Sequence, residues 1–150
     1  MGGADRTQSV LCGLQVLSDK VQLAAIHDGA RPLITPELIT QTVPAADMHG
    51  SAAPAIPVKD TIKNVQNQWV LGTPDRNNLR AVQTPQVFDL PDLRTALTQA
   101  LKDGAAITDD CSAMERMGIP VYLVDGQESN LKITTPMDLK VAELLWEERQ

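Results

Sequence analysis

Aromatic side chains are scarce in this chain: one Phe, one Tyr and two Trp make up 3% of the residues. Base stacking on aromatic platforms is therefore excluded as a way of holding nucleic acid. Basic residues are outnumbered as well, with 13 Lys and Arg against 19 Asp and Glu and a net charge of -6. A general basic surface for nucleic acid is excluded with them, so any phosphate site must be local. No apolar run approaches the ~18 residues needed to span a membrane, and the start lacks the basic-then-apolar order of a signal peptide. No membrane partner is expected, and the location expected is the cytoplasm, or the stroma if the source carries plastids. Only Cys12, Cys111, His27 and His49 carry thiols or imidazoles, so no zinc-site spacing forms and the two distant cysteines read as unpaired thiols in a reducing compartment.

What is present fits a single domain: 150 residues, 43% of them apolar, without repeats, low-complexity tracts or Ser/Gly linkers. Val10, Leu11, Leu14 and Leu17 share one face of a helix from Arg6 to Leu17, which leads into a short apolar strand from Val21 to Ile26. Thr35-Pro36-Glu37 caps a helix running to about Ala45. Ala52 to Val58 reads as an edge strand with prolines at its ends, and with a second strand near Gln68 to Leu71 as a hairpin that projects from the body. Thr73 to Gln86 reads as loop, with Thr84-Pro85-Gln86 as a rigid turn. Helices then follow from Leu90 to Leu101 and from Asp109-Asp110 to Gly118, a strand from Pro120 to Val124, and a last helix capped by Thr135-Pro136-Met137-Asp138. This alternation implies an α/β fold: a Rossmann-like, mostly parallel sheet with helices on both faces.

In such sheets ligands bind beyond the carboxyl ends of the strands. That is where "HDGARP" falls, after the first strand. Asp28 offers a carboxylate for a metal ion or sugar hydroxyl, Gly29 a sharp turn, and Arg31 a planar fork for phosphate oxygens. The same spacing equally serves an Asp28–Arg31 ion pair that only fixes the turn, and spacing alone leaves both open. Lys59, Arg76 and Lys132 each stand beside hydroxyl or amide donors at the end of an apolar segment, a pattern suited to several cations converging on phosphate. His27 has no nucleophile paired with it, and Asp109 and Asp110 are explained by a helix start.

The series "HDGARP", "PVKDTIK", "DRNNLRAVQTPQVF", "ITDDCSAMERMG" and "NLKITTPMDL", in this order, resembles the 2-C-methyl-D-erythritol 4-phosphate cytidylyltransferases over essentially the whole chain. The resemblance implies transfer of CMP from CTP to methylerythritol phosphate, releasing pyrophosphate, with Mg2+ as cofactor. By motif, Arg76 and Lys132 position the substrate phosphate against the α-phosphate of CTP. Asp28, Arg31, Thr61 and Thr84 bind substrate, and Gly3, Arg6, Ser9 and Asp28 bind the nucleotide; Ala4 stands where an aspartate is common. The resemblance also implies a homodimer in which an arm, about residues 58–75, reaches the partner's site and carries Thr61 and Arg76 there. The family's opening strand and glycine-rich loop, P-A-A-G-x-G-x-R followed by a lysine, are not in this sequence. The chain therefore corresponds to the C-terminal two-thirds of a family member, and alone it is expected to have little or no activity. The rival readings are a ribitol 5-phosphate cytidylyltransferase, which shares the fold, and a non-catalytic fragment that dimerises through the arm.

Overall fold

The computed structural model describes residues 2–149, as an α/β fold. In chain order the elements are α1 (Arg6–Gln15), β1 (Leu23–Ile26), α2 (Pro36–His49), β2 (Ser51–Pro57), β3 (Asn64–Gln66), β4 (Trp69–Gly72), a 3-10 turn at Arg76–Asn78, β5 (Arg80–Val82), β6 (Gln86–Asp89), α3 (Leu90–Lys102), α4 (Asp110–Arg116), β7 (Tyr122–Asp125) and α5 (Pro136–Glu147). The main sheet runs β1-β6-β2-β5, with β7 also paired to β2.

β7 lies parallel to β2, while β6 is antiparallel to both β1 and β2. So β1, β2 and β7 share a direction, as a Rossmann-like arrangement requires, and β6 is wedged between the first two in the opposite sense. β5 is likewise antiparallel to β2. The sheet is mixed, and its hydrogen-bonded pairings among the described residues are more antiparallel than the sequence implied.

Alternation along the strands sorts side chains onto two covered faces. Ala24, Ala53 and Phe88 point into the larger core with Leu14 of α1, Leu93 and Leu97 of α3 and Met114 of α4. Their neighbours Leu23, Ala52 and Val87 point the other way, onto Val43 and Ala46 of α2. Helices thus cover both faces, as expected.

Two sequence expectations are corrected. Ala52 to Pro57 is not half of the projecting hairpin but the central strand of the main sheet, with Ala52, Ala53 and Pro54 fully buried. Pro54 brings no N–H to this strand, but its carbonyl still accepts the Gln83 N–H, at 2.7 Å. Nor is Thr73 to Gln86 a plain loop, since it holds the 3-10 turn and β5, and Gln86 opens β6. The projecting arm is instead β3 and β4, a separate two-stranded sheet within the expected residues 58–75. Asn67 and Gln68 join the two strands with φ of 48° and 70°, the positive values a two-residue hairpin turn requires.

The caps form where the sequence placed them. At α5, Thr135 Oγ1 accepts the Asp138 N–H. Asp138 Oδ2 accepts in return from Thr134 N–H, Thr134 Oγ1 and Thr135 N–H, at 2.9, 2.9 and 2.7 Å. The Thr134 and Thr135 hydrogen bonds hold the Asp138 carboxyl down at about 2. A carboxyl lowered on folding stabilises the fold above its unfolded value, and that contribution fades as pH falls through the folded value. Asp138→Ala is therefore expected to melt below the wild type at neutral pH, and the gap to narrow as pH drops from about 4 towards 2; thermal melts at both ends check it.

Candidate active site

β1 delivers His27 and Asp28 to the carboxyl end of the sheet. There the chain turns back, with the Arg31 N–H on the Asp28 carbonyl at 2.9 Å. Gly29 does not impose this turn: its φ is not positive, and a Cβ there would meet nothing within 4 Å. His27 braces the turn instead. Its Nε2 lies 3.1 Å from the Arg31 carbonyl, which can only accept, so the ring hydrogen sits on Nε2. Nδ1 is then left to accept from the Thr84 hydroxyl at 2.9 Å, and the same Thr84 oxygen accepts the Asp28 N–H at 3.1 Å.

Around this turn lies a cleft of about 210 Å³, lined by Arg6, Asp28, Arg31, Thr84, Asp109 and Lys132 among others. Asp28 is its electrostatic centre. Lys132 Nζ stands 2.8 Å from Oδ2, and Arg6 Nη2 3.7 Å from Oδ1. Burial pushes the Asp28 carboxyl up, but the hydrogen bond and charge of Lys132, with the charges of Arg6 and Arg31, outweigh it and hold the group below its ordinary value. No direct ion pair joins Asp28 to Arg31; the Arg31 guanidinium donates to the Asn130 carbonyl at 2.6 Å. Burial lowers Arg31 from its ordinary value, against the pull of Asp28. Arg6 is raised, chiefly by its hydrogen bond to Asp110.

Three cations from separate parts of the chain thus converge on one small cleft. The arrangement suits a ligand that brings several negative charges and asks for positioning rather than proton transfer. His27 is occupied in the turn, and burial raises the Cys111 thiol far from reactivity.

The chain matches the family model for 2-C-methyl-D-erythritol 4-phosphate cytidylyltransferase, IspD, over residues 1–148. It belongs to that cytidylyltransferase family. The protein of that name from Caldanaerobacter subterraneus subsp. tengcongensis is 49% identical over 144 residues, 95% of this chain. Its counterpart from Symbiobacterium thermophilum is 47% identical over 98% of this chain. This chain spans 63% of the length of each. Among solved structures, the cytidylyltransferase from Thermus thermophilus superposes with a TM-score of 0.88 at 37% identity, covering 97% of this chain and 71% of its own. The synthase from Anaerococcus prevotii gives 0.90 at 32% identity, covering 97% and 66%.

Within this cytidylyltransferase fold, the residues singled out from sequence fall into three places. Asp28, Arg31, Thr84, Arg6 and Lys132 share the cleft. Thr84 turns its hydroxyl to His27 and Asp28, so in this arrangement it builds the turn. Arg76 stands apart, in a groove at the base of the arm with Lys59 and Arg80, its guanidinium on the Lys59 carbonyl at 3.0 Å, and Thr61 is exposed on the arm's approach. Gly3 and Ser9 form a third group. The Gly3 N–H donates to Ser9 Oγ at 3.0 Å, and a Cβ on Gly3 would lie 2.3 Å from that of Gln8. Ser9 faces an apolar groove between α1 and β1 rather than the cleft.

Sequence reasoning missed the buried amides that hold the cleft together. Gln83 donates to the Gln127 carbonyl at 2.8 Å and accepts the Gln127 N–H at 3.2 Å. Glycine at position 126 leaves it room, since a Cβ there would stand 2.7 Å from Gln83 Oε1 and 3.0 Å from the Ala55 backbone. Asn130, fully buried, donates to the Thr84 carbonyl at 2.9 Å and so ties the Lys132 loop to the β5–β6 connection. The backbone adds a tie of its own, from the Ile133 N–H to the Ala30 carbonyl at 2.8 Å. An amide two residues from the motif lysine was visible in "NLKIT", but its burial was not.

Proposed function

We propose that the full protein transfers CMP from CTP to 2-C-methyl-D-erythritol 4-phosphate, releasing pyrophosphate, as a step of non-mevalonate isoprenoid biosynthesis. The observation that carries this reading is the convergence of Arg6, Arg31 and Lys132 around Asp28 at the sheet's carboxyl edge. The substrate's phosphate oxygen attacks the α-phosphorus of CTP, and pyrophosphate leaves in line. Charge builds on the phosphoryl oxygens during that displacement, and fixed cations stabilise it more than they stabilise the ground state. Lys132 is the group best placed to follow the charge, by exchanging Asp28 for phosphate. Arg6 and Arg31 remain near Asp28 when it does.

Mg2+ is proposed as the cofactor, and when bound it neutralises charge on the triphosphate. Asp28 supplies a hard oxygen donor at the cleft, with 18% of its side chain exposed. Among the described residues no group of three or more His, Cys, Asp or Glu side chains gathers to hold a metal. Such an ion would take Asp28 and draw its other ligands from phosphates and water, the usual habit of Mg2+.

Thr61 and Arg76 are read as serving the partner's cleft in a homodimer, delivered by the arm. In support, the arm exposes Val65, Trp69, Val70 and Leu71, each by more than half of its surface, an apolar patch that a monomer would leave in water. Replacing Trp69 and Val70 together by Asp is expected to shift the mass in light scattering from dimer to monomer without unfolding the main sheet. An unchanged dimer would remove the arm from the interface.

The reaction itself is tested by pyrophosphate release with CTP and methylerythritol phosphate, run beside ribitol 5-phosphate. Turnover with the first polyol phosphate supports the reading, and turnover with the second alone replaces it. The same assay on these 150 residues alone is expected to show weak or no activity, because the family's triphosphate-cradling loop is not among them.

A further inference from the structure

We propose that Asp110 is a positioning residue that fixes the guanidinium of Arg6 at the nucleotide side of the cleft. This rests on the cytidylyl-transfer reading above. Asp110 is the first residue of α4 and has no exposed surface. Capping does not explain it. Asp109 already caps that helix, accepting the Ser112 N–H at 2.9 Å, with the Ser112 side chain closing the capping box.

Asp110 directs Oδ2 to Arg6 Nη2 at 2.7 Å, across 104 positions of sequence, and leaves Oδ1 buried without a partner. A buried carboxylate is costly, and pairing it seldom offsets that cost in stability alone. What the pair achieves is orientation. Nη2 of Arg6 is held between Asp110 and Asp28, while its Nη1 and Nε make no hydrogen bond among the described residues. Those donors are left to a ligand, on a side chain that is 37% exposed.

The carboxylate is itself held rigidly. Gln86, opening β6, accepts the N–H groups of Asp110 and Cys111 at 3.1 and 3.2 Å and donates to Asp109 Oδ2 at 2.8 Å. Gln86 shares a strand face with Phe88, so the larger core fixes the start of α4. Asp110 then transmits that fixed position to a side chain of α1. An arginine held in this way gives up less rotamer freedom when it binds a ligand.

The test compares Asp110→Asn, Arg6→Gln and the double variant in the full-length protein, reading KM for CTP and kcat separately. Asp110→Asn keeps the shape and removes the charge. It is expected to raise the KM for CTP about tenfold, the size of one charged hydrogen bond, with kcat within about threefold. In the double variant its effect should vanish beside that of Arg6→Gln. A second readout needs no turnover: nitrogen-15 spectra of arginine side chains should show slowed rotation of the Arg6 guanidinium in the wild type and free rotation in Asp110→Asn.

A KM that does not move, effects that add, or Arg6 signals that are the same in both proteins would each overturn the positioning role. If the wild type fails to turn over CTP with methylerythritol phosphate, the functional reading falls. The arginine spectra then still decide whether Asp110 positions Arg6.

Discussion

Replacing Lys132 by Ala is expected to lower turnover by about 10²–10³-fold while the melting temperature stays close to that of the wild type. The ammonium sits 2.8 Å from Asp28 with nearly half of its side chain exposed, so removing it opens no cavity. In the proposed reaction, what is lost is a cation that moves from a carboxylate to the phosphoryl oxygens as charge builds there. Lys132→Arg is not expected to restore the rate, because a planar fork on a longer stem places its charge elsewhere. The Asp28 carboxyl should rise towards its ordinary value in Lys132→Ala, since the hydrogen bond and strongest neighbouring charge that hold it down come from that residue. Steady-state kinetics and a carboxyl titration check the two halves. A variant that melts early and recovers its rate on cooling would make Lys132 a structural residue.

Phe88→Ala is expected to cost about 3–5 kcal/mol, a large share of the roughly 5–15 kcal/mol that holds a domain folded. Phe88 is the only Phe of the chain, is fully buried, and sits where β1, β6 and β2 meet under α3 and α4. Too much volume is removed for the neighbouring helices to fill by relaxing. The midpoint of thermal unfolding should fall by roughly 10 °C or more. Val87→Ala, facing the smaller cluster under α2, should cost roughly 2 kcal/mol. Denaturant titration with an unchanged slope for both variants checks that the native state, and not the unfolded one, has changed.

Phe88 also marks the limit of what the sequence disclosed. The helices at Thr35-Pro36, Asp109-Asp110 and Thr135-Pro136 were legible because a cap is a local arrangement: the side chain that starts the helix lies within a few residues of the N–H it accepts. β6 was not, since Gln86–Asp89 is short, follows a proline and runs into a helix. It is a strand because β1 and β2 pair with it from either side, and neither partner is nearby in sequence. The misplaced hairpin has the same cause. Ala52 to Pro57 looks like an edge because of its prolines, and only the long-range approach of β7 and β5 makes it central.

The cleft divides along the same line. Asp28, Arg31 and Lys132 stand in contiguous motifs, so their residue types could be read off directly. Gln83, Gln86, Asp110 and Asn130 act through burial, which no spacing reports. A glutamine, an asparagine and a second aspartate look like solvated surface until the elements around them close. Arg76 and Thr61 differ again, because in one chain they lie away from the cleft they are proposed to serve.

Gln83 and Gly126 constrain two distant parts of the gene. The side-chain amide of Gln83 copies a peptide group, adding a rung beside the β2–β7 ladder with the N–H and carbonyl of Gln127. That rung leaves no room for a methyl at position 126. A descendant that acquires Gly126→Ala while keeping Gln83 must distort the wall of the cleft, and one that loses Gln83 leaves the polar groups of Gln127 without their partner. The same Cβ would also lie 3.0 and 3.1 Å from the Ala55 backbone, so losing Gln83 does not free position 126, and each of the two positions resists change for its own reason.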